Sequence, residues 1–161
     1  MQIELETSEQ AAGIRTLLVE AFPTPEEADL VERLQDGGYA EIGLTATEGS
    51  RVVGYLLLSR MSAPMKALGL APLAVAADKR RLGIGQSLIE AGLERARRAG
   101  GEAIFVLGDP DYYTRFGFTA TEAAGYETPY AGPYFMIASL TGKTLPRSGR
   151  VDYAPPFAGL S

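Results

Sequence analysis

The stretch that most constrains this chain is Asp78-Lys79-Arg80-Arg81-Leu82-Gly83-Ile84-Gly85-Gln86. It leaves an apolar run at residues 68–76 and opens a helical pattern at residues 83–99. A strand that passes through a short basic loop into a long helix implies a fold in which sheet and helix pack together. The start of a helix carries unpaired N–H groups and a partial positive charge. Gly83 and Gly85 let a ligand approach that backbone closely. Lys79, Arg80, Arg81, Arg95, Arg97 and Arg98 are six of the chain's 15 basic residues, so positive charge is concentrated here. These features describe an anion site suited to a pyrophosphate. The plainer alternative is a tight turn followed by a solvated basic face. The loop is not a Walker A sequence, since no Gly-Lys-Ser/Thr follows. It also lacks the third glycine of a dinucleotide fingerprint, and no acid near the end of the next strand is placed to take a ribose.

The chain has 161 residues, enough for one domain with a real core and too few for two. It contains neither histidine nor cysteine. That excludes disulfide scaffolds, zinc fingers, cysteine nucleophiles and any Ser-His-Asp triad. No metal site is expected. Chemistry must run on Tyr, carboxylates, Lys, Arg, Ser, Thr, backbone amides or a bound cofactor. A net charge of −5 argues against nucleic acid as a partner. There is no basic n-region followed by an apolar h-region, and no apolar run of ~18 residues. No membrane partner is expected, and the default location is cytoplasmic.

Periodicity orders the rest. Residues 2–6 alternate as a short strand, and Thr7-Ser8-Glu9-Gln10 is a helix start. Ile14, Leu17, Leu18 and Phe22 follow at helical spacing until Pro23-Thr24-Pro25. Residues 26–35 form a second helix with Leu30, Val31 and Leu34 on one face and acids on the other. Residues 44–47 and 52–61 make a hairpin around Glu48-Gly49-Ser50-Arg51. Pro72 interrupts the next apolar strand, which should be bulged or unpaired there. Residues 103–107 read as a strand buried on both faces. Asp109-Pro110 caps a short helix that Gly117 ends. Residues 134–140 form the last clear strand. The tail from Thr141 is rich in Pro and Gly, with residues 150–153 a candidate edge strand.

Two segments carry a resemblance. Arg80-Arg81-Leu82-Gly83-Ile84-Gly85 is similar to the Gln/Arg-x-x-Gly-x-Gly/Ala signature of the GNAT N-acetyltransferases. Tyr113-Thr114-Arg115-Phe116-Gly117-Phe118 resembles their Tyr-x-x-x-Gly-Phe segment. The wording of Gly108-Asp109-Pro110-Asp111-Tyr112-Tyr113 looks most like the bacterial YhbS-like group. The likeness covers roughly residues 1–140.

The resemblance implies an α/β (α+β) fold: a mixed, mostly antiparallel central sheet flanked by helices and splayed at the fourth and fifth strands. Residues 1–161 would be one domain, with 141–161 an extension or edge strand. It implies acetyl-CoA as cosubstrate and direct acetyl transfer to a small-molecule or peptide amine, by a monomer or homodimer. Arg80, Arg81, Leu82, Gly83, Ile84, Gly85 and Gln86 would bind the pyrophosphate. Leu73 and Val75 would offer main-chain groups to the pantetheine arm. Tyr113 matches the family's general acid, and a phenol stays protonated at neutral pH. The sequence departs from the family in two places. Leu107-Gly108-Asp109 stands where many members have an Asn, and residues 68–77 hold no acid to act as base.

Two other readings compete: a non-catalytic acyl-CoA sensor on the same fold, and a nucleotide-binding module unrelated to CoA. Glu26, Glu27, Asp29 and Glu32 suit either a cationic acceptor or a solvated helix face. Tyr126, Tyr130, Tyr134 and Phe135 either line a pocket or close the core.

Overall fold

The structure is a computed structural model that describes residues 1–159; Leu160 and Ser161 of the C-terminal tail lie outside the described residues. In chain order the elements are β1 (Gln2–Leu5), α1 (Ala11–Ala21), α2 (Glu26–Asp36), β2 (Ala40–Glu48), β3 (Arg51–Arg60) and β4 (Ala67–Val75). They continue with α3 (Ile84–Arg98), β5 (Ala103–Leu107), α4 (Pro110–Tyr113), α5 (Ala120–Ala123), β6 (Tyr126–Glu127), β7 (Phe135–Ser139) and β8 (Gly149–Arg150). The main sheet has six strands in the order β1-β2-β3-β4-β5-β7. Every pairing in it is antiparallel except β4 with β5.

That one parallel pair decides the shape of the molecule. It joins only Ala67, Leu68 and Gly69 to Ala103, Ile104 and Phe105. β4 runs on to Val75 and β5 to Leu107, so the two strands fork beyond Gly69 and Phe105. Pro72 contributes as its sequence position predicts. Leu56 pairs with Leu73 and Leu58 with Leu70, so Leu57 faces two residues, Ala71 and Pro72. The extra residue bends β4 and strengthens its local twist.

Helices cover both faces. Gly54 of β3 lies under Ile84 and Leu88 of α3, whose side chains a Cβ there would meet at 2.9 and 3.0 Å. The next residue, Tyr55, turns to the opposite face and donates to Glu6 at 2.8 Å. Gln35 of α2 donates to the same carboxylate. Hence α3 and α2 lie on opposite faces. The buried stripe of α3 is Ile84, Leu88, Ile89, Gly92 and Ala96; that of α2 is Ala28, Leu30, Val31 and Leu34.

Two local expectations change. Residues 150–153 are not an edge strand of the main sheet. β8 pairs with β6 in a separate two-stranded sheet, and Asp152 bridges Ser62. The main sheet is already bounded by β7. Burial on both faces holds from Ala103 to Val106 but not at Leu107, which is 48% exposed at the open end of the fork. The α5 turn and β6 carry no periodic signal, being four and two residues long. Of the four aromatic residues left open, Tyr126 and Phe135 are core, stacked on or against Phe105, and Tyr134 is 60% exposed.

Candidate active site

The fork leaves one edge of β4 without a strand partner. Ala76 N–H donates to Val53 C=O at 2.8 Å, which sets the alternation of the antiparallel ladder. Ala74 therefore bonds toward β3, while the N–H and C=O groups of Leu73 and Val75 turn to the open side. The Val75 carbonyl confirms this direction, since it accepts from Arg80 Nε at 3.2 Å.

Beyond β4 the chain makes the basic loop. Arg51 holds Asp78 through two hydrogen bonds of 2.7 and 2.9 Å, and Lys79 Nζ meets Glu48 at 2.7 Å. These pairs tie the entry of the loop to the β2–β3 hairpin. Arg81 (φ 68°) and Gly83 (φ 82°) are both left-handed. An arginine in that region costs of order 1–3 kcal/mol and is retained only where its surroundings dictate it. Gly83 caps α3, and the first intrahelical bond runs from Ser87 N to Gly83 O at 3.0 Å. The amides of Ile84, Gly85 and Gln86 are left as first-turn donors.

The Asp78 pair gives a titration that can be checked. The Arg51 hydrogen bonds hold the Asp78 carboxyl down at about 2. A carboxylate lowered in the folded state stabilises the fold above its unfolded pKa, about 4, and loses that contribution as pH falls through the folded value. The Asp78 carboxyl carbon should titrate near pH 2 by NMR, and Arg51→Ala should return it toward 4.

These parts enclose a groove of about 520 Å³. It brings together Leu73, Val75, Arg80, Arg81, Gly83, Ile84, Gly85 and Gln86 from the residues singled out in the sequence. Leu82 is 68% exposed and is not part of the lining. Lys79, counted in the sequence among the clustered cations, joins the lining, and the groove adds residues that sequence reasoning missed: Ala21 and Phe22 from the end of α1, Ala74, Tyr112 and Arg115. Arg115 lies over the Tyr112 ring at 4.5 Å, and its Nε donates to Tyr112 C=O at 3.1 Å. The guanidinium is thus held over the Tyr112 ring in the wall of the groove. The Tyr112 hydroxyl closes over α3, where a Cβ on Gly85 would stand 2.7 Å from it.

Tyr113 is placed differently. It does not line this groove. Asp109 caps α4 by accepting from Asp111 N at 3.0 Å, and the turn closes at the left-handed Gly117. Between these ends the Tyr113 ring folds back over Gly108, where a Cβ would stand 2.5 Å from it. This contact explains why glycine occupies the position after β5. The ring packs edge-on against Tyr112 and Phe118. Burial, and then the neighbouring Tyr112, push its phenol up to about 12. On the α2 face, Tyr153 lies over Gly69, the last paired rung before the fork. Burial raises its phenol strongly, with Tyr130 and Tyr113 adding to the effect. Among the described residues no group of three or more acids could hold a metal ion, and no helix is long and apolar enough to cross a membrane.

An unpaired strand edge running into a free helix N-terminus defines a protein that can hold an extended, anion-bearing ligand as an added strand. The chain belongs to the Acetyltransferase (GNAT) family, whose profile matches residues 11–118. It is 34% identical over 160 residues to the uncharacterized N-acetyltransferase YjhQ of Escherichia coli (strain K12), covering 91% of this chain and 88% of that one. It is 37% identical over 122 residues to the uncharacterized N-acetyltransferase YhbS of the same strain, covering 73% of each. The crystal structure of E. coli YhbS in complex with CoA superposes with a TM-score of 0.90 at 30% identity, over 99% of this chain and 93% of that one. A Brucella melitensis GNAT acetyltransferase in complex with acetyl-CoA gives 0.82 at 29% identity, over 97% of both chains. The mixed, mostly antiparallel sheet with its forked β4 and β5 is the fold of this family.

Proposed function

We propose that the protein transfers an acetyl group from acetyl-CoA directly to a primary amine on a small molecule or peptide. One observation carries the reading: the open edge of β4 leads straight to the unpaired first-turn amides of α3. The residues present fit the cosubstrate. The N–H and C=O groups of Leu73 and the N–H of Val75 offer strand-like bonds to the pantetheine amides, while the Val75 C=O holds Arg80 at the end of the edge. The Ile84, Gly85 and Gln86 amides, with Leu82 and Gly83 shaping the turn, receive the pyrophosphate. Arg80 and Arg81 supply charge from one wall and Arg115 from the other. The cosubstrate contributes an activated thioester carbonyl.

The protein's part in the chemistry is to hold the carbonyl and manage protons. Tyr113 donates its phenolic proton to the departing thiolate. A phenol raised to about 12 is fully protonated at neutral pH, as a donor must be. With neither His nor Cys in the chain, an acyl-enzyme step has no obvious nucleophile, which favours direct transfer. The reading takes residues 1–161 as one catalytic domain acting in the cytoplasm. The open side of β4 carries no carboxylate, which favours a second reading as a non-catalytic acyl-CoA sensor.

The first test is binding. A ligand that binds only the folded state stabilises it by RT ln(1 + [L]/Kd), about 2.7 kcal/mol at 100 times Kd. Millimolar acetyl-CoA should therefore raise Tm by several degrees, and ATP at the same concentration should not. An unchanged Tm with acetyl-CoA would remove both readings. Thiol release from acetyl-CoA across an amine panel then separates enzyme from sensor.

A further inference from the structure

We propose that Glu27 receives the amine of the acceptor, so that acceptors enter as cations; this rests on the acetyl-transfer reading above. The Oε2 atom of Glu27 is sealed from solvent and has no hydrogen-bond partner. A buried carboxylate oxygen without a donor is costly, and a cation that meets it relieves that cost. The sequence leaves Glu27 open between a cationic acceptor and a solvated helix face, and the structure turns its Oε2 inward. Leu30, Val31 and Leu34 are all buried, and Glu27 precedes them by three, four and seven residues, on the same face of α2.

The neighbouring acids are differently engaged. Asp29 and Glu32 pair with Arg15 at 3.0 and 3.1 Å, and Glu48 pairs with Lys79. No ion pair to Glu27 occurs among the described residues. Its place in the fold suits an acceptor. Only Pro23-Thr24-Pro25 and Glu26 separate it from Phe22, which lines the cofactor groove. The buried face of α2 looks onto the side of the sheet opposite α3. On that side Tyr153 covers Gly69 at the fork, and the 3-10 turn Pro155–Gly159 packs against α2. An acceptor would thus approach from one face while the basic loop holds the cosubstrate at the other.

The proton balance closes. Glu27 takes one proton from R–NH3⁺, and the freed lone pair forms the C–N bond to the thioester carbon. The C–S bond breaks, and the thiolate takes the Tyr113 proton. The second nitrogen proton returns to the Tyr113 phenolate, and Glu27 releases its proton to solvent. The products are an amide, a thiol and one proton.

The test uses the CoA-loaded protein, which cannot turn over. The probes are spermidine, glucosamine, a tripeptide with only its N-terminus free, the same peptide with only its lysine free, and the hydroxyl or acetylated isostere of each. At least one amine should bind by calorimetry where its isostere does not. Glu27→Gln should weaken that binding at least tenfold, leave CoA affinity within twofold, and leave Tm unchanged or higher. Glu27→Asp should recover part of the binding. Equal amine binding by wild type and Glu27→Gln, or none by wild type, overturns the proposal. Thiol release with the same amines is scored separately. Transfer that survives Glu27→Gln removes Glu27 and keeps the enzyme. No release from wild type, with CoA binding intact, removes the enzyme reading.

Discussion

Tyr113→Phe should lower turnover by ~10²–10⁴ while leaving CoA affinity and stability nearly unchanged. The substitution removes one oxygen. The ring remains against Gly108, Tyr112 and Phe118, so its packing is retained. Tyr112→Phe is the matched control, and the two rings predict opposite defects. Tyr112 lines the cofactor groove with its hydroxyl close over Gly85, so its loss should appear in CoA affinity before turnover. Tyr113 lies outside that lining, so its loss should appear in turnover alone. Equal, mild losses in both variants would mean that neither phenol serves the thiolate and that water does. A large loss confined to Tyr112→Phe would transfer the acid role to Tyr112.

Gly85→Asp should weaken CoA binding by ~100-fold or more, about 2.7 kcal/mol, without unfolding the protein. Two effects act together. A side chain at this position meets the Tyr112 hydroxyl, 2.7 Å from where the Cβ would stand, and pushes the groove wall outward. The carboxylate also places negative charge among the amides that would bind phosphate. Fold stability should hold, because an acid in the first turn of a helix is favourable. Gly83 is the poorer probe. Its φ of 82° strains any side chain, so lost binding there would mix with lost stability. Wild-type CoA affinity by calorimetry in folded Gly85→Asp would overturn the loop assignment.

What local sequence determines is clear in particular elements. The α3 stripe from Ile84 to Ala96, the Asp109-Pro110 cap and the bulge at Pro72 are each written within a few consecutive residues. Helical spacing, a capping side chain and a missing N–H act over one or two turns, so they can be read without the fold. The loop lining of the groove was legible for the same reason, because residues 79–86 are contiguous. The Arg115–Tyr112 wall could have been read from the (i, i+3) spacing, but nothing local says that it lines the same groove as the loop.

The tertiary structure alone decided the rest. Glu27 looks like its neighbours Glu26 and Asp29 in sequence. It becomes distinct only because α2 turns that face toward the sheet, and burial is a property of what lies opposite. Tyr153 and Gly69 are 84 positions apart, yet one fills the space that the other leaves empty. The residues after β7 gave no periodic signal because β8 pairs with β6 across the chain, through bonds that no local pattern encodes. Sequence determined which of the longer segments would be strand, loop and helix, since short-range backbone preferences suffice for that. The fork, the two faces and the sealed Oε2 of Glu27 arise from contacts between distant segments, whose geometry exists only once the sheet is assembled.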